Sequence, residues 1–396
     1  MKKAVIIYNY FLSKDGKYPV IGGIQTYIFQ LCRLLISMEI IPIVLQPAEN
    51  DFEVNYDEIQ VIGVKNEHYR KNFFSFNENN WQNLYDRAIK LVKPSNGLLI
   101  FAADQVSVKT KYPRVISIMH GIYWDLPANY LKTIGGRYTL IGKFPFIGDR
   151  LLKIIFTENK IRLINNVNNI VCVDYNFINW YRTRIPNDLE RNYYVIPNFV
   201  EFPDNYKPNI ERHRNADKIK ILFARRFYEY RGTRIMVEAI KKLIATTGSK
   251  IEITFAGEGP DEEYIKRELE NFDGFFIDKY NFGDSLNFHK KFHIAAIPSL
   301  ASEGTSLSLA EAMAAGCAVV ASNVGGLSNM IIDNYNGFLI MPTAEELYLA
   351  LKKLTFSTEV RYQFAGRAYE SALHGFNLET WQNKWKNVIK KVENIK

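Results

Sequence analysis

An α/β fold built twice over is what this sequence predicts, and three observations predict it. Short apolar, β-branched runs alternate with segments of helical period along most of the chain. The alternation breaks at residues 199–218, a candidate linker that is polar, contains two prolines and shows no period, and then it resumes. The chain has 396 residues, enough for two or three domains at roughly 150 residues each.

The elements follow in order. KKAVIIYNY (2–10) is a strand, not a signal peptide: its apolar run stops at Asn9 and no small-residue cleavage site follows. Ile24, Ile28, Leu31 and Leu35 then recur at helical spacing. IIPIVLQ (40–46), GLLIFAA (97–103), RVISIMH (114–120) and NIVCVD (169–174) read as buried strands. Beyond the break come the strand KIKILFARR (218–226), the helix MVEAIKKLIA (236–245) and the strand KIEITFAGEG (250–259). FHIAAIPS (292–299) is a strand, Leu307–Ala315 a helix, and CAVVASNVGG (317–326) a strand running into a glycine turn. GFLIMP (337–342) and a helix from Glu345 to Leu354 follow. Strands alternating with helices imply parallel sheets. Two Rossmann-like halves are expected: 1–198, completed by a C-terminal helix at 377–396, and 199–376, facing each other across a cleft.

Composition excludes little. Hydrophobic residues make up 47% and charged residues 23%, ordinary for a globular protein. The net charge of +8 favours an anionic partner, whether nucleotide, phosphorylated substrate, nucleic acid or membrane surface. Three widely spaced cysteines give neither a disulfide framework nor a zinc site and fit a reducing cytoplasm. No run reaches the length of a membrane span.

The chemistry concentrates in SEGTSLSLAEAMAAGCAVVASNVGG (302–326). Glu303 falls on the loop at a strand's carboxyl end. The helix starting near Leu307 or Ser308 aims free N–H groups and a positive dipole at the same place, which suits a phosphate. Gly304 lets the backbone approach closely. Glu311, about one turn into the helix, could accept two hydroxyl hydrogen bonds. Each residue has a plainer reading: Glu303 as a solvated loop charge, Ser308 and Glu311 as an S-x-x-E capping box, Gly316 as a helix C-cap.

This segment resembles the E-x7-E region of the retaining family-four (group 1) glycosyltransferases, which have the GT-B fold. Other landmarks resemble that family in order. GGIQTYIFQL (22–31) is similar to its N-terminal Gly-Gly loop and helix, and IMHG (118–121) to its strand ending in His-Gly. VIPNFVE (195–201) resembles its domain junction, with Phe199 in place of glycine. ILFARRFYEYRG (221–232) resembles the strand ending in Gly-Arg, with Arg226 at the arginine position and Arg231 where lysine is usual. GEGP (257–260), NYNGFLI (334–340) and the closing FNLETWQNKW (376–385), a helix that crosses back to the N-terminal domain, complete the set. Thr305 and Ser306 replace a frequent Phe-Gly.

The resemblance implies transfer of a sugar from a nucleotide-diphosphate donor to a glycan or lipid-linked glycan with retention. Glu311 would hold the ribose hydroxyls. Glu303 would bind the sugar near its 3- and 4-hydroxyls, and is also a candidate nucleophile. His120 would meet the donor sugar; its plainer reading is a satisfied histidine at a strand end. Gly22 and Gly23 would admit the diphosphate, or form an ordinary turn. Arg226 and Arg231, with Gly257 and the helix start at Thr305, Ser306 and Leu307, would neutralise the leaving diphosphate, unless the arginines are only a basic edge. No metal and no other cofactor is expected, and the chain lacks Asp-x-Asp. Uridine diphosphate sugars are the expected donors, guanosine diphosphate mannose the next. The implied setting is cell-surface polysaccharide synthesis in the cytoplasm, at the inner face of the membrane. Residues 131–156 mix basic and large apolar residues, as a rim docking on anionic lipid would, or a helix-rich part of the core. The rival classes are a phosphorylase- or epimerase-like enzyme, a catalytically inactive sugar-binding homologue and a polyanion-binding protein. The basic residues are dispersed, against a nucleic-acid partner.

Overall fold

The computed structural model describes residues 1–20, 22–65, 78–122, 154, 157–158, 160–184, 191–280, 282–301 and 303–394. Of the segment 131–156 only Ile154 is among them, so the expected lipid-docking rim lies outside the described residues. The chain forms two α/β units. Among described residues, the first holds Met1–His120, those between 146 and 196, and the chain from Gln382 onward; the second runs from Pro197 to Trp381 and takes in Gly121 and Ile122.

The first unit is built on an eight-stranded sheet. Its strands are β1 (Lys2–Ile7), β2 (Ile40–Ala48), β3 (Phe52–Tyr56), β4 (Ile59–Lys65), β5 (Leu98–Phe101), β6 (Val115–Met119), β7 (Asn169–Cys172) and β8 (Asn192–Val195), in the order β3-β4-β2-β1-β5-β6-β7-β8. Every pairing is parallel except β3 with β4, a hairpin turned by Asp57 and Glu58 at φ of 49° and 66°. Sequence reading passes over this hairpin because its tight turn carries neither glycine nor asparagine. The central strands β1, β5, β6 and β7 are buried along most or all of their length, on both faces, as their continuous apolar runs require.

The second unit has six parallel strands: β9 (Ile219–Ala224), β10 (Ile251–Ala256), β11 (Phe275–Asp278), β12 (Ile294–Ile297), β13 (Ala318–Ser322) and β14 (Phe338–Ile340). Their order is β11-β10-β9-β12-β13-β14. The chain winds outward from β9 in one direction and from β12 in the other, so the strand order reverses between these two. That switch point opens a crevice at their carboxyl ends. Period-two alternation splits the core: Ile221 and Phe223 pack on one face with Met236 and Ile240, and Leu222 on the other with Leu309 and Met313.

Residues 199–218 are not a loose linker. Phe199, Val200 and His213 are buried. The Arg212 guanidinium donates to the carbonyls of Phe292, Ala315 and Gly316, and one nitrogen of the His213 ring donates to Gly316 O at 2.9 Å. Arginine and histidine here satisfy carbonyls left open where a helix ends, and a polar composition concealed that.

The last helix, Leu378–Glu393, crosses from the second unit to the first. Trp381 packs against Phe199 in the second, ring centres 4.7 Å apart and planes tilted by 55°. One turn on, Trp385 is fully buried in the first and its indole N–H donates to Tyr27 Oη at 2.8 Å. Trp385→Ala is expected to cost about 3–5 kcal/mol of unfolding free energy, and Trp385→Phe clearly less, read from denaturant midpoints.

Candidate active site

The two strands at the switch point deliver the central groups. β12 ends at Ile297, and the loop after it carries Ser299 and Glu303. β9 ends at Ala224, but Arg225 N–H still donates to Ala256 O at 3.0 Å, so Arg225 stands at the strand's carboxyl tip. Glu303 Oε1 accepts from Arg225 Nη2, from Arg231 Nη1 and, at 2.7 Å, from Ser299 Oγ. The Glu303 residue is only 5% exposed. Burial alone would push its carboxyl up; the Arg225 and Arg231 charges outweigh that and hold it below the usual range. Burial brings the Arg225 guanidinium down to about 10, so it stays charged at neutral pH.

Arg225, not Arg226, is therefore the arginine that meets Glu303. Neighbours on an extended backbone project to opposite sides. Arg226 is exposed, its guanidinium 5.6 Å from the Tyr228 ring centre. The family spacing points to Arg226 and offers no means of telling the two apart. Arg231 does face Glu303, as its position in the motif implies.

Two glycines fix this geometry. A side chain at Gly257 (φ 150°) would meet Arg225 O at 2.1 Å, so the GEGP turn can press against the Arg225 backbone only without one. A side chain at Gly325 (φ 51°) would meet Glu303 O at 2.1 Å, while Gly326 N–H donates to that same carbonyl at 2.8 Å. The Gly-Gly turn after β13 thus clamps the Glu303 loop.

A helix begins directly after the loop, at Leu307–Ala314. Its N-cap is Ser306, whose Oγ accepts from Leu309 N–H at 3.4 Å. The capping box that Ser308 and Glu311 could form is not used. The N–H groups of Leu307 and Ser308 have no partner among the described residues, and Arg225 Nη1 lies 3.5 Å from the Oγ of both Ser306 and Ser308. Open donors, a helix dipole and the Arg225 guanidinium meet at one place, with Arg231 on the Glu303 oxygen that Arg225 also bonds, an arrangement that suits an anion. Thr305 is buried and structural: its Oγ1 accepts from Asn198 N–H at 2.8 Å.

Glu311 is 4% exposed and its ionisation is governed by burial, which raises it to about 8; the hydroxyls of Ser285 and Tyr280 bond it and partly oppose that rise. Neither partner is visible from the motif, because both come from residues 280–285, more than twenty positions upstream.

The remaining expected residues belong to the first unit. Gly22 and Gly23 stand at the start of the helix Gly23–Ser37, and the extended φ of Gly22, 174°, does not require glycine. His120 follows β6. Its Nε2 bonds Ala102 O at 2.8 Å and its ring meets Tyr27 edge-on at 5.2 Å. A carbonyl only accepts, so Nε2 carries the proton and Nδ1 is left with a lone pair. Burial lowers its pKa to about 4, so the ring is neutral. Beneath it lies a buried ion pair, Asp104 with Lys160, which pins the turn offering Ala102 O.

Comparison with known proteins bears on the family and the fold. Residues 207–371 match the family described as glycosyl transferases, group 1. An uncharacterized glycosyltransferase of Methanocaldococcus jannaschii is 25% identical across 99% of both chains. One component of the human phosphatidylinositol N-acetylglucosaminyltransferase is 22% identical over 98% of this chain and 75% of its own length. The Anabaena protein HepE, solved with UDP-glucose, superposes with a TM-score of 0.67 over 99% of this chain and all of its own, at 14% identity.

Two consequences are measurable. Arg225→Met leaves a buried carboxylate half-paired and should cost about 3–5 kcal/mol, whereas Arg226→Ala should stay within about 0.5 kcal/mol of wild type; chemical denaturation separates them. For Glu311 the folded state holds its proton up to about 8 while the unfolded chain releases it near ~4.3. Stability from this group is therefore full below the unfolded value and falls as pH rises towards 8. Glu311→Gln should melt above wild type at pH 8, with the advantage disappearing near pH 4, in a pH series of thermal unfolding. The second unit thus matches the group 1 glycosyl transferases over residues 207–371, a relative along the whole chain is named a glycosyltransferase, and the fold is the GT-B fold.

Proposed function

We propose that the protein is a retaining glycosyltransferase using a nucleotide-diphosphate sugar, a uridine diphosphate sugar first and guanosine diphosphate mannose second, with a glycan or lipid-linked glycan as acceptor. The observation that carries the reading is the convergence of Arg225 Nη2, Arg231 Nη1 and Ser299 Oγ on one oxygen of Glu303, beside the open N–H groups of the helix start. The diphosphate lies against that helix start and the two guanidiniums. Glu303 Oε2, which carries none of these three bonds, takes hydroxyls of the donor sugar, and Glu311 takes the ribose.

Transfer proceeds on the front face. The bond from the anomeric carbon to the β-phosphate oxygen breaks, the acceptor oxygen bonds to the same face, and its proton passes to the departing phosphate oxygen. Charge grows on that oxygen as the bond breaks, and the fixed guanidiniums and helix start are placed for it. His120, neutral with a lone pair on Nδ1, contacts the donor sugar. Support for a UDP donor is the HepE complex, and for a lipid-linked acceptor the human relative's name. No described helix is long and apolar enough to cross a membrane; the setting proposed is cell-surface polysaccharide synthesis in the cytoplasm, at the inner membrane face by peripheral contact. An inactive sugar- or polyanion-binding protein is the competing reading.

A panel of nucleotide sugars, with EDTA present and no added metal, decides between them. Slow release of nucleoside diphosphate from one donor, lost in Glu303→Ala and reduced at least about 100-fold in Arg225→Ala but retained in Arg226→Ala, is expected. No release and no thermal shift with any donor would leave the binding-protein reading.

A further inference from the structure

The first unit holds a cavity that the proposed reaction leaves unused. Its volume is about 300 Å³, and it lies between the start of the helix Glu78–Val92, the chain that follows β5 and the helical residues 160–164. That is the small end of the ~300–1,000 Å³ typical of ligand pockets. Hydrogen bonds tie its wall together. Ser107 Oγ donates to Asp104 O at 2.6 Å and Asn166 Nδ2 donates to Ser107 O at 3.0 Å, so the turn Asp104–Val106 is joined to the segment carrying Arg162 and Asn166. The Tyr85 and Thr110 hydroxyls, 2.6 Å apart, join the same stretch to the helix Glu78–Val92. Other groups on the wall are unengaged. Trp81 is half-buried, yet among the described residues its ring meets no other ring and its indole N–H has no hydrogen-bond partner. The other described tryptophans, Trp180, Trp381 and Trp385, each meet another ring. The Gln105 amide, the Lys109 ammonium and Asn166 Oδ1 likewise have no partner among the described residues.

The lining chemistry points to the occupant. A saccharide has an apolar C–H face and a rim of hydroxyls that both donate and accept. A half-buried indole offers an open apolar face and one N–H donor. Carboxamides donate and accept at once, as hydroxyls require, and Gln82, Gln105 and Asn166 bring three of them; Gln82 gives one N–H to Asp86 and keeps its oxygen. Lys109 and Arg162 add positive charge, and no acidic side chain lines the cavity. An apolar ligand would strip these polar groups of water without pairing them, and a bare inorganic anion has no use for the indole face. We propose that this cavity binds a saccharide unit bearing an anionic substituent, a carboxylate or a phosphate, and is a subsite for the acceptor. The acceptor role rests on the glycosyltransferase reading above; the binding site does not. The fold supports the connection. The turn that walls the cavity follows Ala102, whose carbonyl accepts from His120 Nε2. Ser107 stands five positions beyond Ala102, at most roughly 18 Å of extended chain, which puts the cavity within reach of a short oligosaccharide that ends at the histidine.

Titration of the nitrogen-15-labelled full chain, without nucleotide, tests this through the Trp81 indole N–H signal, assigned by its absence from Trp81→Phe. The probes are glucose, glucuronic acid, galacturonic acid, glucose 6-phosphate, inorganic phosphate and tetragalacturonic acid. At least one sugar acid or the sugar phosphate should shift the signal saturably, and bind about 10-fold tighter than glucose, the worth of a hydrogen bond to a charged group. Lys109→Met should erase that preference. Gln105→Ala, at an exposed position, should weaken the bound sugar about 5-fold. The tetramer should move the His120 ring signals as well as Trp81. A Trp81 signal that no sugar moves overturns the proposal, and so does one that inorganic phosphate moves as strongly as glucose 6-phosphate, which leaves a bare anion site. A tetramer that moves Trp81 and leaves His120 unmoved overturns the acceptor subsite. With no nucleotide present, the two readings fail separately. A protein that releases no nucleoside diphosphate sinks the donor reading and leaves the saccharide site standing, whereas a silent Trp81 beside an active donor site sinks the saccharide site alone.

Discussion

A carboxylate as buried as that of Glu303 stays ionised only if cations reach it, and the second unit is arranged so that two do. Removing the charges of Glu303, Arg225 and Arg231 from water costs several kcal/mol per ion, and a single partner seldom repays that. The Ser299 hydroxyl and two guanidiniums on one oxygen do. The geometry then propagates outward. Arg225 must sit at the tip of β9, so the turn after β10 must approach its carbonyl, so residue 257 must be glycine. The Glu303 loop must lie under the turn after β13, so residue 325 must be glycine as well.

The two carboxylates of the E-x7-E segment are held in opposite states by their surroundings. Both are buried, which pushes both up. Glu303 has cations and ends below the ordinary range; Glu311 has only neutral hydroxyls and ends at about 8. Two similar groups whose environments separate their proton affinities can carry separate tasks. One is a fixed anion ordering the charged end of the site. The other keeps its proton at neutral pH and would ionise only where hydroxyl donors bond it.

Much of the fold was legible. β1, β9, β10 and β12 appear within three residues of the runs that marked them, because strands buried on both faces leave continuous hydrophobic text. The helix at Leu307 and the glycine turn after β13 were legible for the same reason, their roles being local. What escaped was decided at long range. The choice between Arg225 and Arg226 depends on how one residue continues the ladder with Ala256. Tyr280, Ser285 and Lys160 find their partners across sequence gaps that no spacing reveals. Residues 199–218 looked like linker because the carbonyls that Arg212 and His213 satisfy lie about a hundred positions away.

Charge arithmetic connects the resting site to the proposed reaction. Arg225, Arg231 and Glu303 sum to one positive charge, and the helix start adds a fraction more. A nucleoside diphosphate ester brings about two negative charges, and the departing diphosphate develops about one more as the glycosidic bond breaks. Arg225 and Arg231 need not abandon Glu303 to receive it, since each guanidinium has five N–H donors in a planar fork and Glu303 occupies few of them. The pairs that make the buried carboxylate tolerable thus also hold the two cations in place before the donor arrives. Little reorganisation is left for the moment when charge moves, and that is where fixed dipoles and charges lower a barrier most.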